Sequence, residues 1–228
     1  MQLISSCEVF IGPSSRMVSV SKSSIPTISD QSCAIQLSNA SQQMAESITE
    51  LRTTLAKAIE ACSSSMELDS AIDSIREMDK ELADCRKAAI NYQLKPLPGE
   101  TQESCAAQLN STCKSVGSSM AQLLTAASQG NETYTGMAGR ETANTLKSLT
   151  TSVRGIAATS AERDLQMRVI DNARDVLDMS IMLFEETKWA LRNPHDRERQ
   201  QRLTNVAKSV SNALNNCVNC LPGQKDVD

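Results

Sequence analysis

The sequence predicts an all-α protein, an up-and-down five-helix bundle preceded by an orphan helix from a neighbouring bundle. Apolar side chains recur at near seven-residue helical spacing along most of the 228 residues. Proline and glycine interrupt this pattern at intervals suited to helices of about 25 to 30 residues. Only one His, one Trp, two Tyr and two Phe occur, so aliphatic, small and sulfur-containing residues must fill the helix interfaces.

Composition limits the setting and the partners. The net charge is -4 and both signs are interspersed, which indicates neither a basic face for nucleic acid nor an acidic tail. Most of the eight cysteines fall on or near helical apolar stripes, which favours a reducing, cytoplasmic compartment over a disulfide framework. No apolar run approaches the roughly 18 residues needed to cross a bilayer, so no membrane-spanning helix is predicted.

The N-terminal quarter predicts a weakly defined segment and then a long helix. Residues 1–13 match nothing around them and end at Gly12-Pro13, and a short helix at 14–24 should stop at Ile25-Pro26. We expect 1–29 to be poorly defined and 30–62 to be helical. Because one helix cannot bury its apolar stripe alone, 30–62 is predicted to be the last helix of a preceding rod bundle.

Five further helices are predicted over 66–221. Ser64 and Glu67 have the spacing of a capping box, so the first helix should begin there and end before the Pro-rich segment 93–100. The second should occupy 101–128, with Gly130 at a position suited to a left-handed C-cap. Short loops between such helices favour an up-and-down arrangement.

The remaining breakpoints follow the same logic. The third helix should span 134–159, and Thr159 with Glu162 should form a capping box for a fourth helix that ends near Leu191. Asn193-Pro194 marks the next turn, and the last helix should cover 196–221. Residues 222–228 are interpreted as the start of the next linker or helix.

No catalytic, metal or cofactor site is predicted. Cys217 and Cys220 have CxxC spacing, but a structural zinc site needs two more ligands, and helix packing is favoured over a redox dithiol. His195, the only imidazole, lies in a Pro-containing loop. We therefore predict that the protein is not an enzyme.

Two features near the end of the fourth bundle helix have a structural and a functional interpretation. Phe184 and Trp189 suit a docking site, although core or core-edge packing is favoured. Arg197, Arg199 and Arg202 belong to the charged start of the last helix; a solvated face is modestly favoured over a contact with a filament.

Two apolar stripes share nearly the same offsets. Each has small residues beside it and suits either core packing, the default, or a hydrophobic groove of another protein if the helix is released. The first stripe is Leu109, Cys113, Val116, Met120, Leu123, Leu124 and Ala127; the second is Leu203, Ala207, Val210, Leu214, Cys217, Val218 and Leu221.

Three segments resemble the talin rod: LKPLPGET at 94–101, QLLTAASQGNE at 122–132 and QQRLTNVAKSVSNALNNCVNCLPGQKDVD at 200–228. The likeness runs from about residue 16 to the end, and residues 1–13 depart from it. The resemblance implies a cytoskeletal, mechanosensing adaptor at cell-matrix adhesions, which binds actin filaments and whose bundles unfold under tension to expose vinculin-binding helices. The resemblance also implies that integrin binding belongs to the talin head, outside the matched region, and that membrane association is indirect.

The talin vinculin-binding pattern, Leu-x-x-Ala-Ala-x-x-Val with continuing apolar positions, is similar to both stripes. Thr112 replaces the first Ala in one stripe and Val206 replaces it in the other. The alternative function is an amphipathic bundle that opens on membrane surfaces. Such helices usually carry a strongly basic polar face, whereas these polar faces are mixed or acidic.

Overall fold

The computed structural model describes residues 2–222. Helix α1 spans Gln2–Ser24 and is followed by a 3-10 turn, Ile25–Thr27. The other helices are α2 (Gln31–Ile90), α3 (Gln102–Ser128), α4 (Glu132–Thr159), α5 (Arg163–Arg192) and α6 (Arg197–Asn219). Residues 2–222 contain no strand, which confirms the all-α fold class. The closing QKDVD segment, expected to start another helix, lies outside the described residues.

The chain divides into two compact units, Met1–Cys62 and Ser63–Asp228, and α2 contributes residues to both. In the first unit, α1 and the first part of α2 bury Ile11, Val18, Ile48 and Leu55 together. The stripe predicted for 30–62 therefore has a partner helix within this chain.

Helix α1 begins twelve residues earlier than the sequence predicts, and it contains Pro13 in its interior. Proline removes one helical hydrogen bond and usually interrupts a helix. Here Ile11 and Val18, one on each side of Pro13, are seven residues apart and both lie in the apolar cluster of the first unit. Tertiary packing on both sides outweighs the local preference for a break.

The helix boundary predicted at Ser64 and Glu67 is wrong, because α2 is continuous for 60 residues. Its sequence contains neither glycine nor proline, so three consecutive serines do not end it. Ser64 is buried and its hydroxyl has no hydrogen-bond partner in the described structure. Glu67 instead pairs with Arg140 of α4, so it does not cap a helix.

At the other helix ends, one capping prediction is wrong, one capping box was not predicted and one glycine is as expected. The box predicted at Thr159 and Glu162 is wrong: Glu162 is the N-cap of α5 but makes no side-chain cap bond. Thr101 with Ser104 forms a capping box that the sequence analysis missed, because the partner is Ser where Glu or Gln is usual. Gly130 has the expected left-handed backbone, with φ of 64°.

Helices α3 to α6 pack with the second part of α2 around one core. Pairs of side chains fix the directions: Glu186 meets Arg199 and Asn172 meets the Asn216 carbonyl, so α5 and α6 are antiparallel. The largest fully buried side chains of this core include Leu68, Ile72, Ile75, Leu82, Leu109, Leu123, Leu146, Leu149, Ile156, Leu165, Ile170 and Phe184.

Candidate functional site

Both predicted apolar stripes lie in the core of the second unit. On α3, all stripe residues except the half-buried Leu124 are buried; on α6 and its C-terminal end, all except the half-buried Val218 are buried. Leu109, Val116, Leu123 and Val210 are fully inaccessible. In the folded chain, neither stripe is a surface that a partner can contact.

Local chemistry starts and ends each stripe helix. The Thr101–Ser104 capping box begins α3, and the left-handed Gly130 follows its end. At the start of α6, Asp196 Oδ1 accepts hydrogen bonds from the backbone N–H groups of Glu198 and Arg199. This confirms a helix start at Asp196 and satisfies donors that a helix otherwise leaves exposed.

The two stripes meet at a group of cysteines, Cys113 of α3 with Cys217 and Cys220 at the end of α6. Cys113 and Cys217 are buried in the common core, and Cys220 packs against it. Burial raises the pKa of Cys113 to about 11 and also raises the pKa of Cys217 and Cys220. Since the thiolate is the reactive form, this environment suits packing and opposes thiol chemistry.

The hydrogen bond of the Cys220 thiol is also that of a packed helical side chain. The Cys220 thiol donates to the Cys217 carbonyl oxygen at 3.1 Å, a local helical contact. Among residues 2–222, no group of three or more His, Cys, Asp or Glu residues is arranged to hold a metal ion. His195 is exposed in the α5–α6 loop.

The three candidate basic residues at the start of α6 differ in their surroundings. Arg197 and Arg202 are exposed, and Arg202 pairs with Glu198 one turn away. Arg199 is half-buried; its Nη1 lies 3.9 Å from Glu186 Oε2 of α5. The structure thus divides this cluster into two solvated side chains and one that is held against the neighbouring helix.

Phe184 and Trp189 also differ. Phe184 is a fully buried core residue, whereas the Trp189 side chain is 45% exposed. The guanidinium carbons of Arg192 and Arg199 lie 5.3 and 5.2 Å from the Trp189 ring centroid. Sequence reasoning missed this arrangement, because the helical spacing of Trp189 was also compatible with a core-edge position.

A row of ion pairs joins α2 to α5, and the sequence analysis did not identify it. Asp69 pairs with Lys188, Asp79 with Arg174, and Arg86 with Asp171. The two arginine pairs are bidentate, each with one distance of 2.7 Å and one of 3.2 Å. Their order along the two helices shows that α2 and α5 are antiparallel. The signal was present as opposite charges on two polar faces, but pairing them requires the fold.

Within residues 2–222, each helix is either too short or too polar to span a bilayer.

The fold and the site define a helical-bundle protein in which the apolar stripes of two similar amphipathic helices are buried in the core. The family model of the Talin IBS2B domain matches residues 62–224, and that of the Talin R4 domain matches residues 1–58.

Curated relatives agree along the whole chain. Talin-2 of Homo sapiens is 55% identical over 228 residues, which is 100% of this chain and 9% of the relative. Talin of Oscarella pearsei is 50% identical, covering 99% of this chain and 9% of the relative. Talin-1 of Gallus gallus is 46% identical, covering 100% of this chain and 9% of the relative. The chain belongs to the talin family.

The family matches also correct the expected extent of the resemblance. Residues 1–13 were expected to depart from the talin pattern, yet the R4 match begins at residue 1. Gly12-Pro13 is typical of a helix break, and it therefore obscured the continuity of α1 across Pro13.

Proposed function

We propose that the chain is part of a non-enzymatic cytoskeletal adaptor, a talin rod segment that transmits force between integrin adhesions and actin filaments. Residues 66–221 act as one rod bundle, and residues 30–62 act as the last helix of a preceding bundle. The chain works in the cytoplasm at cell-matrix adhesions, and integrin contacts are made by the head of the talin protein.

The observation that carries this proposal is the burial of two matched stripes within one core. A stripe that is inaccessible in the folded bundle becomes available only when its helix leaves the core. Unfolding a domain costs on the order of 5 to 15 kcal/mol, an amount that tension on a rod can supply by extending the chain. The proposal thus makes vinculin binding conditional on force.

Isolated helices test the vinculin part of the proposal. We expect vinculin head to bind peptides 105–128 and 200–221 more tightly than it binds the intact chain, as measured by titration calorimetry. Peptides that carry Leu123→Asp or Leu214→Asp serve as the matched controls. If neither wild-type peptide binds, both stripes have only a packing role.

Co-sedimentation tests the actin part. The chain, with its neighbouring rod bundles, is spun with actin filaments across a salt series, beside a triple variant Arg197→Gln, Arg199→Gln and Arg202→Gln. We expect binding that weakens with salt and is reduced in the variant, because surface charge attraction is screened. No sedimentation in any version would remove actin from the proposal and leave the adaptor role standing.

A further inference from the structure

Trp189 lies at the surface beside two guanidinium groups. Its side chain is 45% exposed, although it follows the fully buried Phe184 by only five residues on α5. Arg192 from the last turn of α5 and Arg199 from the first turns of α6 both approach the indole ring within 5.3 Å of its centroid. We call these three residues the Trp–Arg face.

The cations of this face keep most of their hydrogen-bonding capacity. Arg192 has no ion pair among residues 2–222, and Arg199 meets only Glu186, at 3.9 Å. A guanidinium has five N–H donors, and stacking on an aromatic ring leaves its edge free to bind a carboxylate. Packing on the ring also restricts both side chains, which lowers the entropy lost when a partner binds.

The neighbouring carboxylates are engaged elsewhere. Asp196 caps α6, Glu198 pairs with Arg202, and Glu185 pairs with Lys188. They therefore do not neutralise Arg192. Exposed Trp and Arg side chains are also the residue types most enriched at the energetic centres of protein interfaces.

We propose that the Trp–Arg face is a docking surface for an acidic protein segment, whose carboxylates pair with Arg192 and Arg199 while its aliphatic atoms cover the indole. The inference rests on the proposed adaptor function, because it places one contact of the adaptor at this face. Trp189 and Arg192 thereby join Arg199 in that contact, and the partner is defined as an acidic segment.

The surroundings favour a protein segment over a phosphate group or an anionic bilayer. The first N–H donors of α6, which would suit a phosphate, already donate to Asp196. Glu185 and Glu186 lie one turn before Trp189 on α5, and Glu198 adjoins Arg199 on α6. A broad anionic surface would meet these carboxylates as well as the arginines, whereas a narrow segment needs to contact only the two guanidinium groups. A free apolar indole also favours a partner with side-chain methylenes.

Because Trp189 is the only tryptophan in the chain, its fluorescence reports binding at this face directly. The full chain is titrated with a short poly-glutamate peptide, with a poly-glutamine peptide of equal length, and with phosphatidylserine vesicles. We expect a saturable change with poly-glutamate that added salt weakens, and no change with poly-glutamine.

Substitutions locate the site. Arg192→Gln and Arg199→Lys together should weaken poly-glutamate binding by about tenfold, since charge-assisted hydrogen bonds are lost. Lys retains the charge facing Glu186, and Arg192 is exposed, so the fold should persist. Arg163→Gln is the matched control: it removes an arginine that lies 5.1 Å from the Tyr92 ring centroid at the opposite end of α5.

Three results would overturn the inference: no saturable response to poly-glutamate, equal affinity of the double variant, or a stronger response to vesicles than to the peptide. The actin measurement is separate. Poly-glutamate binding without actin co-sedimentation would remove actin as the partner yet support the Trp–Arg face, and the reverse result would reject the face alone.

Discussion

Buried hydroxyl groups distinguish this core from an all-aliphatic one. Thr142, Thr150, Ser180 and Thr187 are buried, and each hydroxyl donates to the carbonyl oxygen four residues earlier in its own helix. These bonds satisfy the hydroxyls without joining one helix to another. These four hydroxyls therefore add no unpaired donors to the core, but they provide less interhelical packing than methyl groups would.

Cysteine labelling is the first prediction at this scale. In the native chain, Cys33 and Cys62 should react readily with maleimide because they are exposed, whereas Cys113 and Cys217 should be protected. Mass spectrometry of labelled peptides measures each site. Denaturant should make all eight cysteines reactive, and rapid native labelling of Cys113 would contradict the burial described for α3.

The same thiol gives a pH dependence. Burial raises the pKa of Cys113 from 9.0 to about 11. The neutral thiol is favoured by the folded state, so its contribution is fully present below pH 9 and is lost as the pH rises towards 11. Urea unfolding should therefore show a smaller alkaline loss of stability for Cys113→Ala than for the parent chain, with exposed Cys33→Ala as the control.

Two helical glycines provide a matched pair. A Cβ at Gly117 would meet nothing within 4 Å, whereas at Gly139 it would lie 2.7 Å from Leu68 Cδ2 and 3.2 Å from Phe184 Cε1. Gly117→Ala should stabilise the chain by about 0.5–1 kcal/mol, since alanine favours the helix. Gly139→Ala should destabilise it, because overpacking costs about 1–3 kcal/mol. Equal effects in thermal unfolding would reject the close approach at Gly139.

At the scale of helices, ion pairs join α2 to α5 beside the apolar core. Asp79 and Arg174 are 26% and 36% exposed, while the local pair Asp73 and Arg76 within α2 is 75% and 58% exposed. A double-mutant cycle with Asp79→Asn and Arg174→Gln should give a coupling of about 0.5–1 kcal/mol that decreases with salt.

The cycle at Asp73 and Arg76 is its control and should give a smaller coupling, because both side chains are more exposed. Urea unfolding monitored by circular dichroism measures both cycles. Equal couplings would show that the bidentate geometry between the helices adds nothing to their association.

Helix ends that are set by a left-handed glycine or by a capping side chain could be predicted from the sequence. Boundaries without such local chemistry could not. Gly130 and Asp196 each supply local chemistry that the sequence displays, and both were placed correctly. The continuity of α2 depends on an absence of breakers over 60 residues, which a three-serine run concealed. Pro13 is the opposite case, because the sequence contains a helix breaker and yet α1 continues through it. Residues on both sides of Pro13 pack in the apolar cluster of the first unit.

Of the candidate sites, the buried stripes could be predicted from the sequence, whereas the surroundings of Trp189 could not. Periodicity predicted the buried stripes, since a core position is fixed by the apolar pattern along one helix. The surface position of Trp189 and its two arginines depends on how α5 and α6 meet, and no spacing within a single helix contains that information.

At the scale of the whole second unit, stability and partner binding should be linked. If vinculin head binds only a released stripe, any change that weakens the core should improve binding to the intact chain. Leu146 is fully buried on α4 and belongs to neither stripe. Leu146→Ala should destabilise the unit by about 2–5 kcal/mol and raise the open population about tenfold for each 1.4 kcal/mol.

Leu214→Ala is the comparison, because Leu214 is buried in the same core and lies on the α6 stripe. It should lower stability to a similar extent but also weaken the groove contact, so the intact chain gains less affinity and peptide 200–221 loses it. Urea unfolding gives both stabilities, and calorimetry with vinculin head gives the affinities. If Leu146→Ala lowers stability while vinculin binding to the intact chain stays unchanged, opening of this core does not control the binding, and the stripes serve packing alone.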